Sequence, residues 1–261
     1  MRAVGVHADA VVAVSGIWQT TCTAVRAGGE AFVIDSPVLP AELEALPSLL
    51  DQAAFPAVVG LLITHADWDH VLGRYAYPDA GLGCAESSAR RLHDEPGAAQ
   101  RELRAFDAEH YVERPRPLAL GGVQGLPVPG RCELGNRELE LHPARGHTAD
   151  GMAILAPWAD VLCCGDYLSP VEIPMLSPGG SRDAYRETLG RLRELVERVE
   201  TVVPGHGTPQ SREGALGLLE QDLAYLDGLE REGADATLPE GRDGPAQKRI
   251  HAANAERTRS T

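Results

Sequence analysis

The chain has 261 residues, which suits one large or two small domains with a core hiding roughly three-quarters of the unfolded surface. Its 24 basic and 38 acidic residues leave a formal charge of −14, which excludes a basic footprint for nucleic acid or anionic membrane. The charge is spread along the chain and 43% of residues are apolar, which excludes wholesale disorder.

Residues 1–17 carry one early Arg, and His7 and Asp9 interrupt their apolar stretch, so they do not read as a signal peptide. No run approaches the ~20 apolar residues of a membrane span. The five cysteines include the adjacent Cys163 and Cys164 but no CxxC pair. Reduced, buried thiols in a cytoplasmic protein are therefore expected.

Three β-rich runs follow, at residues 11–14, 21–26 and 31–34, with Gly28-Gly29 as a hairpin signal between the last two. Residues 41–50 place Leu43, Leu46 and Leu50 at helical spacing. The run VVGLLIT at 58–64 is continuously apolar, as suits a strand buried on both faces. Helical segments are expected at 87–93 and 99–111, then a long Pro/Gly-rich loop at 115–130. Strands return at 138–142, 152–155 and 160–164. Ser181 caps a predicted helix carrying Tyr185, Leu189, Leu192, Val196 and Val199 on one face. A short strand at 201–203 precedes a helix capped by Ser211, with Leu216, Leu219, Leu223 and Leu226 inward. Residues 233–247 read as a polar linker and 248–261 as a short, loosely held helix or solvated tail, with possible packing back on residues 1–232.

The chemistry concentrates in His65-Ala66-Asp67-Trp68-Asp69-His70, directly after the buried strand. Two histidines beside two carboxylates are hard to explain structurally, because without a cation the carboxylates repel. His147 in Gly-His-Thr, Asp166 in Gly-Asp and His206 in Pro-Gly-His-Gly each follow a predicted strand as well. Four strands thus deliver imidazole or carboxylate from their C-terminal loops, where a rigid sheet holds a site. Imidazole plus carboxylate without thiolate suits Zn, Mn or Fe.

This set resembles the metallo-β-lactamase superfamily, whose signature is THxHxDH followed by separated His, Asp and His. The resemblance covers residues 10–230, and the GHT, GD and PGHG pieces look most like its glyoxalase II-like branch. It implies an α/β (α+β) fold, a four-layer αββα sandwich over residues 1–232. It also implies two divalent metal ions, one held by His65, Asp67 and His147 and the other by Asp69, His70 and His206, with Asp166 bridging. Asp67 stands where most members have a second histidine. Zinc is the usual metal of the family, but a harder oxygen ligand favours Fe or Mn.

The implied activity is hydrolysis of an ester, thioester, lactone or related bond of a small molecule by a metal-bridging hydroxide, with Asp69 orienting it and moving its proton. The alternative is a di-iron oxidoreductase or a persulfide-dioxygenase-like enzyme on the same fold. Flavodiiron relatives carry Glu at the Asp67 position but need a fused flavodoxin-like domain, for which this chain has no room. Trp68, Tyr167 and Met175, the last within the stretch 169–180, are candidate substrate contacts, and Tyr167 is a candidate oxyanion donor. Anchoring of the loop by the Tyr167 phenol is the competing expectation. Asp35 is read as either a turn residue or the partner that orients a histidine. A glutathione thioester needs a basic clamp, for which little besides Arg145, Lys248 and Arg249 is at hand. The protein is expected to act as a monomer or homodimer, without nucleic acid or membrane partners.

Overall fold

Two sheets stack face to face with helices on both outer surfaces in the computed structural model, which describes residues 1–259. The first sheet runs in sequence order: β1 (Arg2–His7), β2 (Ala10–Val14), β3 (Thr21–Ala27), β4 (Glu30–Asp35), β5 (Val58–Leu62), β6 (Gly81–Ala85) and β7 (Val123–Leu126). Its first four strands are antiparallel neighbours, and β4 to β7 are parallel. The second sheet holds β8 (Gly130–Leu134), β9 (Arg137–Pro143), β10 (Met152–Ala156), β11 (Val161–Gly165), β12 (Thr201–Pro204) and β13 (Gln210–Ser211). Within it only β11 and β12 run parallel.

Alternation along the strands builds the layers. Leu62 faces the space between the sheets with Ile34, Leu139, Ile154 and Val203. Leu61 and Ile63 face outward, against α1 (Pro40–Gln52) and α3 (Ala98–His110) through Leu43, Leu46, Leu103 and Phe106. α2 (Glu86–Asp94) lies between β6 and α3 in the chain. On the far side, α4 (Arg182–Val196), α5 (Arg212–Glu232) and α6 (Pro245–Arg259) cover the second sheet. The result is the αββα sandwich. Ser181 Oγ accepts from Ala184 N at 3.4 Å and Ser211 Oγ from Gly214 N at 3.1 Å, so both helices start at side-chain caps.

The adjacent cysteines divide between layers, Cys163 facing between the sheets and Cys164 facing the helices. All five are free, and burial pushes the Cys84 and Cys163 thiols up to about 12, leaving them un-ionised at neutral pH.

Three parts differ from the sequence expectation. β1 and β6 were not evident, and β7 with the start of β8 falls in the stretch read as loop. β6 and β7 contain glycines and are recognisable by their partners more than by their residues. The C-terminal segment is no solvated tail: α6 is pinned to residues 173–176. Gln247 Oε1 accepts from Ile173 N at 3.0 Å, and the fully buried Asn254 accepts from Leu176 N at 2.9 Å and donates to Pro174 O at 2.7 Å. Its polar sequence satisfies backbone groups instead of water. Ser260 and Thr261, the last residues of that expected helix, lie outside the described residues. Among the described residues no helix is long and apolar enough to cross a membrane.

Candidate metal centre

Strand C-termini from both sheets meet at one edge of the sandwich. His65 to His70 follow β5, His147 follows β9, Asp166 follows β11 and His206 follows β12. The 65–70 segment is held by its own backbone. Thr64 N donates to Asp35 Oδ1 at 2.7 Å, Ala66 N to Asp150 Oδ2 at 3.0 Å and His70 N to Asp67 O at 3.2 Å. Two glycines allow the remaining loops to close in. Gly146 has φ +130°, and a Cβ there would lie 2.2 Å from the Tyr185 backbone. A Cβ on Gly205 would lie 2.1 Å from Asp166 Oδ1, so a larger residue would displace that carboxylate.

All seven anticipated side chains are brought together, as the sets His65–Asp67–His147, Asp69–His70–His206 and His65–His70–Asp166. Within each set the donor atoms lie within 4.8 Å of one another. Asp166 is the hub. Its Oδ2 is 3.7 Å from His65 Nε2, 3.3 Å from His147 Nε2 and 3.5 Å from His206 Nε2, while Oδ1 is 3.2 Å from His70 Nε2. Asp67 Oδ2 lies 3.6 Å from His65 and 3.3 Å from His147, and Asp69 Oδ2 lies 3.4 Å from His206.

The histidines share one orientation. Three Nδ1 atoms have a hydrogen-bond partner: Thr64 Oγ1 for His65 at 3.1 Å, Met175 O for His147 at 2.9 Å and Trp18 O for His206 at 3.1 Å. His70 Nδ1 makes an ion-pair contact with Asp35 Oδ2 at 3.1 Å without hydrogen-bond geometry. A proton on Nδ1 would leave each Nε2 lone pair directed into the shared space, the arrangement metal-bound imidazoles need. Asp35, at the end of β4, thus orients a histidine. His65 Nε2, His70 Nε2 and Asp166 Oδ1 are buried without a hydrogen-bond partner. Orphaned donors of this chemistry fit a divalent cation.

Without a cation the site is a nest of ion pairs. Burial alone would lower the His147 and His206 pKa values, but the surrounding carboxylates outweigh it and raise them to about 9 and about 10. The Asp166 carboxyl is held well below its usual range because four histidines outweigh its burial. Protons on the histidines therefore compete with metal. Since these folded-state values lie above the unfolded imidazole value, their stabilisation is fully present below about pH 6.5 and is lost as pH rises through 9 to 10. Thermal melts are expected to show the metal-free protein losing stability over that interval and the metal-loaded protein holding it. Parallel curves for the two forms would contradict this.

Several contributing residues carried no sequence signal. Arg91, from α2, places Nη1 2.7 Å from Asp67 Oδ1 and 3.0 Å from Asp150 Oδ1. It sets a positive charge beside the Asp67 carboxylate. Glu172 lies on the loop after Asp166, and its carboxylate groups with Asp166 and His206 within the same 4.8 Å limit. Burial raises its pKa. Nothing in the spacing of either residue marks it, because both reach the site through tertiary packing.

The three anticipated substrate contacts fare differently. Trp68 is half-buried and packs on Trp18 at 5.5 Å and Phe106 at 4.8 Å between ring centroids, forming an aromatic wall beside the ligands. Trp18 is 45% exposed, with φ 53°. Tyr167 is only 3% exposed, and its hydroxyl accepts from His147 N at 3.0 Å. The buried phenol therefore anchors the backbone of the ligand loop. Met175 contributes its carbonyl to His147, with its side chain half-buried. A cavity of about 210 Å³, lined by Ala66, Arg91, Glu95, Gln100, Glu102 and Leu120, opens next to Asp67 through Arg91.

Residues 15–206 match the family model of the metallo-beta-lactamase superfamily. The fold is similar to a metallo-beta-lactamase from Pontibacter korlensis, with a TM-score of 0.59, 17% identity, and coverage of 84% of this chain and 98% of that one. DIM-1 metallo-beta-lactamase gives a TM-score of 0.59 at 17% identity over 84% of this chain and 96% of that one. TTHA1623 in a di-iron-bound form gives 0.61 at 22% identity over 78% and 96%. Among curated protein sequences, none is similar enough to count as a match.

Proposed function

Because this chain belongs to the metallo-beta-lactamase superfamily, we propose that it is a binuclear metal-dependent hydrolase of a small-molecule ester, thioester, lactone or related bond. The observation that carries this reading is the convergence of four Nε2 atoms and three aspartates, each Nδ1 in contact with an oxygen. When bound, two divalent cations supply Lewis acidity that activates water and stabilises developing negative charge. His65, Asp67 and His147 would hold one and Asp69, His70 and His206 the other, with Asp166 between them. Asp69, 8% exposed, would orient the attacking water and pass its proton to the leaving group. Trp18 and Trp68 offer an apolar wall for the substrate body.

The GHT, GD and PGHG pieces support a glyoxalase II-like arrangement of the ligands. The neighbouring cavity argues for a neutral or cationic substrate over a glutathione thioester: Arg91 is already shared by Asp67 and Asp150, and Glu95 and Glu102 add negative charge. Protein purified without added metal is expected to carry about two transition-metal ions and to turn over generic lactone, ester or thioester substrates anaerobically. Absence of bound metal after Zn, Mn and Fe supplementation would overturn the reading.

A second reading, a di-iron oxidoreductase, is favoured by one observation: Asp67 makes the first site richer in oxygen donors. The similar TTHA1623 structure is a di-iron-bound form. A visible iron absorption that changes with O₂, without anaerobic hydrolysis, would select it.

A further inference from the structure

The seven ligands leave one carboxylate at the centre without a task. We propose that Glu172 is a further ligand of the second cation, beside Asp69, His70 and His206. This rests on the binuclear reading above and adds to it the chemical class of cation that the second site selects.

The placement is built by the fold. Glu172 lies six residues beyond Asp166, on the loop that joins β11 to α4. Ser169 Oγ accepts from Glu172 N at 2.9 Å and itself donates to His206 O at 2.8 Å, so one hydroxyl ties the glutamate to the ligand loop after β12. From the other side, Arg242 Nη1 donates to Glu172 O at 2.7 Å, and that guanidinium is paired at 2.7 Å with the buried Asp222. Backbone restraint on both sides aims the side chain at the centre, where its carboxylate groups with Asp166 and His206.

No hydrogen bond or ion pair to the Glu172 carboxylate is present among the described residues. A half-buried carboxylate beside two aspartates is unfavourable unless a cation accompanies it. Arg242, the guanidinium that holds the Glu172 backbone, is turned to backbone carbonyls, Gln221 and Asp222. With His206 Nε2 committed to the second ion, that ion is the positive charge left to partner the Glu172 carboxylate. The first ion would then have Asp67 and Asp166 as oxygen ligands, and the second would have Asp69, Asp166 and Glu172. Hard oxygen donors raise preference for Mn(II) or Fe(II) relative to Zn(II).

The test compares the full-length wild type with Glu172→Gln and Glu172→Ala. Chelator competition would give the affinity of each ion, Mn(II) against Zn(II), and Co(II) absorption would report coordination directly. The expectation is that one ion binds as in wild type while the other weakens by roughly tenfold or more. The Mn-to-Zn preference should fall by a similar factor, and the Co(II) bands of that site should change. Glu172→Gln keeps the side-chain volume, and metal-free melting curves matching wild type would show that the fold is retained. Two ions bound by the wild type, with both affinities and the Co(II) spectrum unchanged in the variants, would overturn this inference and leave the hydrolase reading intact. A wild type that binds no ion would overturn both.

Discussion

Asp166→Asn is expected to lower hydrolytic turnover by roughly three orders of magnitude and to strip at least one ion from the purified protein. The reason is its position: its two oxygens approach the Nε2 atoms of all four histidines, between 3.2 and 3.7 Å. An amide offers one weaker donor and no charge, so it cannot join both sets. Metal-supplied stabilisation of the transition state amounts to several kcal/mol, and about 1.4 kcal/mol is tenfold in rate. Turnover of a generic ester or lactone, with metal content by mass spectrometry, measures both effects. A variant keeping two ions and turnover within tenfold of wild type would remove Asp166 from the centre of the mechanism.

Arg242→Met is the substitution expected to cost most in stability, about 3–5 kcal/mol near neutral pH, as when a buried ion pair loses one partner. Arg242 is 2% exposed and Asp222 1% exposed, and the guanidinium also serves Ser169 O, Glu172 O and Gln221. Burial outweighs the arginine at Asp222 and raises its carboxyl to about 6. That value lies above the unfolded one, so the carboxyl's own contribution is fully present below about pH 4 and is lost as pH rises through 6. The defect of Arg242→Met should therefore be largest above pH 6 and shrink toward pH 4, where a neutral Asp222 no longer needs the cation. Denaturant melts of wild type and variant across that range give the comparison. A defect independent of pH would mean that packing, not charge, explains the loss. Weaker metal binding should accompany it, because Arg242 holds the loop that carries Glu172 and, three residues on, the Met175 carbonyl that orients His147.

Much of the strand pattern was legible because buried strands declare themselves by composition. VVGLLIT at 58–64 needs apolar contacts on both faces, and β5 has them through Leu61 outward and Leu62 inward. Ser181 and Ser211 marked their helices because a side-chain cap is a local interaction. β6 and β7 were silent because parallel pairing, not their glycine-containing residues, makes them strands. The polar α6 escaped for a related reason. Gln247 and Asn254 look solvated until the loop amides and carbonyls they satisfy are in view.

The same division runs through the site and through the charge of −14. Residue type and position after a strand end were enough to single out His65, Asp67, Asp69, His70, His147, Asp166 and His206, since few structural roles require such groups so close together. What the chain alone could not state is how its remaining charges are paired. Arg91 is remote in sequence from Asp150 yet joins it to Asp67, and Glu172 faces His206 across two different loops. Local sequence determines which atoms can bind a cation; long-range packing decides which Nδ1 each acceptor fixes, which carboxylate an arginine neutralises and which is left for metal. Electrostatic energy depends on distances through space, and only the folded chain sets them.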